Sequence, residues 1–350
     1  LALTLGWTYP LVHYLGRALP ELGDSLLNAW ILAWDADRLA HGLRGLWDAP
    51  IFFPYARTLA YSEHLLGVAL LFAPLQWISG NPLLVYNTAL LFSFVLAGTG
   101  MYLLARSLCG RRDAALLAGL AFAFCPYRTA QLPHLQVLMS GWMPISLWAL
   151  HGYFASGSRR MLAGFVTAYL LQALSNGYFL YFLAVPVSLV SAQALAHERP
   201  SRRTFTDLAA AGVVMLVCLA PVASVYYTVQ QEQGFRRRTA EIASYSADVG
   251  SYLHVDQVVS AWRWLPAFRK PEGELFPGLT LLALAGVGLY AMGRRRRPGA
   301  DGVPDGGLRR AWQSWIPSLA SLVALLLLLL GQAGTWLFAS VVAVLLVRSL

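Results

Sequence analysis

Charge is scarce in this chain. Lys, Arg, Asp and Glu make up 12% of its 350 residues, about half the share found in soluble domains, and too little to cover a fold of this size with solvated side chains. Cysteine is nearly missing. Cys109, Cys125 and Cys218 are too few for a disulfide-stapled scaffold and read as small apolar residues. Glycine follows no period, which excludes a collagen-like rod, and an apolar content of 57% excludes disorder. The sequence contains no G-x-x-x-x-G-K-[ST], no G-x-G-x-x-G after a strand, no G-x-S-x-G, no H-E-x-x-H and no C-x-x-C. ATP-driven transport, soluble nucleotide chemistry and zinc hydrolysis therefore have no support.

What the chain does have is apolar length. Its mean hydropathy is +0.55, and runs suited to spanning a bilayer, roughly 17 to 25 residues each, fall near 1–15, 84–105, 114–127, 137–155, 161–175, 177–196, 208–228, 275–293, 313–330 and 333–350. The expected fold is an all-α, polytopic membrane protein of about ten spanning helices. It forms a single domain over 1–350, and the absence of an initial Met and the apolar run at Leu350 suggest a piece of a longer protein. The net charge of +9 comes almost wholly from Arg, with Lys270 the one lysine. In a membrane protein such an excess reports orientation more often than a nucleic-acid partner. The short segment 65–79 decides the topology. If it lies against the outer face without spanning, the short basic connections at Arg106, Arg111, Arg112, Arg159, Arg160, Arg202 and Arg203 all fall inside, as the positive-inside tendency asks. This segment reads as a re-entrant or interfacial helix. Two long outer loops result, 16–83 and 229–274, and long ordered loops are where function tends to sit. By contrast, 294–310 reads as a disordered inner loop.

In the first loop, LGDSLLNAWILAWDADRLAHGL places Leu26, Leu27, Trp30, Ile31, Trp34 and Leu39 at helical spacing, an amphipathic helix on the outer leaflet. Asp24 at its start is either an N-cap or a general base at the membrane surface. Asp35 and Asp37 form a D-x-D, but residues two apart on a helix diverge, so a metal site is disfavoured and pairing of Asp35 with Arg38 is expected. Either Ser62 or Glu63 caps the helix that follows, or Glu63 and His64 face Asp24 across a pocket. Arg128 and His134 occupy a short outer connection. Arg128 has the donor fork to bind a phosphate, or it snorkels to headgroups. Asn176-Gly177 supplies turn geometry. Arg236, Arg237 and Arg238 lie outside, against the orientation bias; they either capture a lipid-linked phosphate or neutralise a loop whose charges cancel.

The order of these parts resembles the multi-spanning C-type glycosyltransferase superfamily, and in particular an uncharacterised bacterial branch of it. The features that carry the resemblance are a first span, then Gly23-Asp24-Ser25 at the head of a long outer loop, then a juxtamembrane helix and a second hydrophobic piece that stays outside. A span ending in the basic turn YLLARSLCGRRDAALLAGLAFAF, residues 102–124, follows. The resemblance implies an integral inner (plasma) membrane enzyme of cell-envelope assembly, active on the extracytoplasmic face. It would move a sugar from a polyprenyl-phosphate carrier to an acceptor hydroxyl with inversion. Asp24 would be the base, with Glu63, His64 and His134 as secondary pocket residues and Arg128 or the 236–238 triplet on the phosphate. The chain has Asp-Ser where many members have Asp-Glu. No cofactor is read from the sequence, and a divalent metal has no support. A non-enzymatic carrier for a lipid-linked glycan, or a structural scaffold in an envelope complex, would use the same surfaces without a base.

Overall fold

The computed structural model describes residues 1–197, 201–256, 259 and 272–295, and among these there is helix and turn but no strand. The helices are α1 (Ala2–Trp7), α2 (Asp24–Ala40), α3 (Leu66–Ser79), α4 (Pro82–Cys109), α5 (Arg112–Ala123), α6 (Pro126–Ala130) and α7 (Leu135–Leu138). They continue with α8 (Trp142–Ser156), α9 (Arg159–Ser175), α10 (Gly177–His197), α11 (Arg202–Gln233), α12 (Thr239–Tyr245) and α13 (Leu279–Arg295). The all-α expectation is met.

The chain divides into two compact units, one of Leu1–Gly100 with Gln131–Arg236 and one of Met101–Ala130 with Arg237–Leu350. In the first, α9 is the hub and packs against α3, α8, α10 and α11, while α2 lies along α3. Glycine makes two of the closest approaches possible. A Cβ on Gly67 of α3 would stand 2.4 Å from the Leu171 carbonyl oxygen of α9, and one on Gly141, at the head of α8, would stand 2.6 Å from the Ala97 amide nitrogen of α4. Real side chains never come that close, so both positions need hydrogen there. At the other end of α9, Arg159 donates to the buried Asp207 of α11 through Nε at 3.0 Å and Nη2 at 2.8 Å, and Tyr153 of α8 donates to the same carboxylate at 3.5 Å. That carboxylate joins three helices at one point. In the second unit, Val255, Val259 and Phe276 form a small apolar cluster, and Asp248 and Ser251 cap a 3₁₀ turn reciprocally.

Among the described residues, three helices are long and apolar enough to cross a membrane: Pro82–Cys109, Gly177–Ala196 and Arg202–Gln233. This is fewer than the ten runs that the sequence suggested. The run 1–15 does not form one helix; α1 holds six residues and is followed by turns and a 3₁₀ segment, Leu11–His13. The helices α5, α8 and α9 have 12, 15 and 17 residues. At a rise of about 1.5 Å per residue they are shorter than a hydrocarbon core of about 30 Å, because Pro126, Gly157 and Asn176 fall where the chain breaks. The segment 65–79 does form a helix, α3, with Pro74 inside it. The runs 313–330 and 333–350, most of 294–310, and Trp262 and Trp264 lie outside the described residues. The first long loop is built of α2, a 3₁₀ turn at Thr58–Tyr61 and α3, and the second begins inside α11.

Candidate functional site

The first turn of α2 is capped from upstream. The Glu21 carboxylate accepts the Gly23 N–H at 2.7 Å and the Ser25 N–H at 3.0 Å. These backbone hydrogen bonds hold its carboxyl below the usual carboxylate range. Gly23 occupies the N-cap position with no side chain to contribute, and Asp24 is the first helical residue. Asp24 is therefore not the cap that its position in the sequence suggested. With Glu21 in that role, the Asp24 side chain is 54% exposed and turns to His134, whose Nε2 lies 2.8 Å from Asp24 Oδ2.

His134 is held in place by a buried polar network. It sits just before α7, in a loop that Tyr86 of α4 and Asn28 of α2 pin from two sides. The Tyr86 hydroxyl lies 3.0 Å from the Pro133 carbonyl oxygen, 3.2 Å from that of Leu132 and 3.1 Å from Ser25 Oγ. Asn28 Nδ2 donates to Gln136 Oε1 at 2.9 Å. Tyr86, Ser25 and Asn28 are all buried. His134 Nδ1 is itself buried and has no hydrogen-bond partner among the described residues. A proton on Nδ1 would be a buried donor with nothing to accept it, so the neutral ring carries its proton on Nε2 and donates it to Asp24. The result is an accessible carboxylate with one oxygen oriented by an imidazole and the other available to a reactant.

Glu63 and His64 have different surroundings. Glu63 accepts the Gly177 N–H at 3.1 Å at the start of α10, and burial pushes its carboxyl up. Asn176 Oδ1 accepts from Tyr178 and Phe179 at the same helix start, so Asn176 caps α10 as well as turning the chain. His64 Nδ1 accepts the Leu66 N–H at 3.1 Å at the head of α3, and its ring lies between Trp47 and Tyr226, with centroids 5.8 and 6.0 Å away. Burial lowers the imidazole to about 4, so it is neutral. No hydrogen bond or ion pair among the described residues joins Glu63 or His64 to Asp24.

Asp35 does not pair with Arg38. It is fully buried, neither carboxyl oxygen has a hydrogen-bond partner among the described residues, and desolvation raises it well above its ordinary value. Arg38 binds its neighbour Asp37 instead, because residue 37 is exposed and residue 35 lies on the packed face. Arg128 is fully buried in the second unit beside Cys125, and that burial lowers its guanidinium to about 10. Arg236, Arg237 and Arg238 are exposed and precede α12. Among the described residues no group of three or more His, Cys, Asp or Glu is placed to hold a metal ion.

The sequence pointed to Asp24 and His134 separately but not to their pairing across 110 positions. It also missed Glu21, Asn28, Tyr86 and Gln136. Only the spacing of Glu21 before the first turn carried a local signal.

A family model described as domain of unknown function DUF6311 matches residues 45–346. The chain belongs to the DUF6311 family. The matched part includes Glu63, His64, Arg128 and His134, and Asp24 precedes it. No curated protein and no solved structure matches this DUF6311 sequence.

Proposed function

We propose that this DUF6311 protein is a membrane glycosyltransferase that moves a sugar from a polyprenyl-phosphate carrier to an acceptor hydroxyl, with Asp24 as general base. The observation that carries this reading is a helix-start carboxylate released from capping by Glu21, more than half exposed, and oriented by His134 at 2.8 Å. A base must reach the proton that it takes and must be held still while doing so, and Asp24 meets both needs. In the reaction, the acceptor oxygen gives its proton to Asp24 and forms a bond to the anomeric carbon from the face opposite the leaving group. The bond from that carbon to the phosphate oxygen breaks, and polyprenyl phosphate leaves with the electron pair. His134 keeps the Asp24 carboxylate aimed.

Of the arginines that the resemblance assigns to the departing phosphate, Arg236, Arg237 and Arg238 are exposed and Arg128 is buried. Glu63 and His64 support the site's framework through the starts of α10 and α3. The resemblance to C-type glycosyltransferases supplies the donor class, residence in the inner membrane and the extracytoplasmic side. The three long apolar helices agree with residence in a membrane.

The test is transfer from a polyprenyl-phosphate sugar by the full chain reconstituted in liposomes. Asp24→Asn keeps the shape and hydrogen bonding but cannot take a proton. Turnover should fall by about a hundredfold or more while the lipid still binds. Equal turnover in Asp24→Asn refutes the reading, and lipid binding with no turnover in either protein favours a carrier.

A further inference from the structure

A second constellation shares the face of α2 that carries Asp24. At about 100° per residue, Asp24, Leu27, Trp30, Trp34 and Arg38 fall within roughly one third of the helix circumference. The Trp30 and Trp34 rings are parallel to within 8°, with centroids 6.1 Å apart. Arg38 places its guanidinium carbon 4.6 Å from the Trp34 centroid. Trp34 is fixed at its edge, where Nε1 donates to the Leu46 carbonyl oxygen at 2.8 Å. With Arg38 four residues after Trp34 and Trp30 four before it, Trp34 is the middle of a ladder and Trp30 is its last rung on the side of Asp24. Helical side chains lean toward the N-terminus, which carries the Trp30 ring over the turn of Leu26 and Leu27. Those two residues are 49% and 37% exposed, so the fold does not use this stretch of surface.

We infer that Trp30 is the stacking platform for a pyranose ring of the acceptor, and that this stacking presents one of the ring's hydroxyls to Asp24. The inference rests on the transferase reading and names the acceptor class as carbohydrate. Asp24 and Trp30 are six residues apart, about 9 Å along the helix axis, a span suited to one sugar ring and a hydroxyl. A pyranose has a face of C–H groups that lies flat on an aromatic ring and a rim of hydroxyls that needs hydrogen-bonding partners. This face of α2 has both kinds of group, since Asp24 and His134 stand at one end and Asp37, Arg38 and His41 at the other. A stripe that only met lipid tails would need neither parallel rings, one of them anchored at its edge, nor ionic groups at both ends.

The test is saturation-transfer NMR on the purified full chain in detergent micelles, with methyl gluco-, manno- and galactopyranosides as probes and cyclohexanol as the apolar control. Transfer should concentrate on the C–H protons of one ring face. Trp30→Ala should weaken binding about tenfold or more, and Trp30→Phe should keep part of it. If Trp30→Ala does not fold, Trp30→Leu replaces it, with apolar bulk and no ring. The inference is overturned if none of the pyranosides receives transfer, if the ringless variant binds as wild type does, or if cyclohexanol binds equally well. Pyranoside binding through Trp30 without Asp24-dependent turnover would refute the transferase reading alone. Asp24-dependent turnover that is indifferent to Trp30→Leu would refute this inference alone.

Discussion

His64 and Asp35 are buried groups that titrate in opposite directions. The His64 ring is packed by Trp47 and Tyr226 and takes a proton only near about 4, whereas an imidazole in the unfolded chain takes one near about 6.5. Between these values the unfolded state binds more protons, so stability falls as pH drops through that window, by up to about 3 kcal/mol. His64→Asn retains an acceptor for the Leu66 N–H and should flatten this acid limb in thermal melts followed by tryptophan fluorescence. Asp35 behaves inversely. Its folded value is raised, so its contribution is present below the unfolded value of about 4 and is lost as pH rises through the folded one. Asp35→Asn should be at least as stable as wild type at neutral pH and less sensitive to alkali. Glu63, raised for the same reason, leaves a residual slope. The same pair of aspartates shows how little sequence spacing settles. D-x-D at 35 and 37 reads as an acid paired with Arg38 beside one facing water, and the packing of α2 on α3 puts Asp35 in the core and leaves Asp37 exposed.

At the scale of the element, α2 depends on a cap that does not belong to it. Glu21→Ala removes both hydrogen bonds to the first turn and should cost about 1 kcal/mol, as loss of other N-caps does. The measurement is amide exchange at Gly23 and Ser25, which should quicken while the centre of α2 stays protected. Acid should produce the same fraying, since the lowered Glu21 carboxyl contributes above its unfolded value and loses that contribution as pH falls through the folded one. The crossing of α3 over α9 depends on a single missing methyl group. Gly67→Ala sets a carbon against the Leu171 backbone and Ser175, and overpacking of this kind should destabilise by roughly 1–3 kcal/mol, read as a lower midpoint in chemical denaturation. The periodicity of 24–40 and the apolar run of 65–79 made both helices legible. The cap, the crossing and the glycine that permits it were not, because each depends on a partner distant in sequence or on the direction a side chain takes.

For the whole molecule, the decisive feature is unshared apolar surface. Only 11% of the apolar window of Gly177–Ala196 and 6% of that of Arg202–Gln233 are buried by the protein itself. Phe205, Val213, Val214, Leu216, Val217 and Tyr227 project from α11 with half or more of their surface uncovered, except Val214 at 48%. Water does not tolerate a patch of that extent. The chain should therefore fractionate with membranes, resist extraction at alkaline pH and stay monodisperse only in detergent or lipid; release into the aqueous fraction as a folded protein would contradict this. Composition alone determined the helical class and the shortage of aqueous surface, because a chain with 12% charge and long apolar runs has to satisfy its backbone internally. Tertiary structure decided how many of those runs become long helices, since the chain breaks that end α5, α8 and α9 act locally while hydropathy averages over them. It also decided the site. Asp24 and His134 are 110 residues apart, and no local pattern reports their distance. Their meeting at 2.8 Å required Glu21 to take the cap and Tyr86 and Asn28 to hold the 132–136 loop against α2.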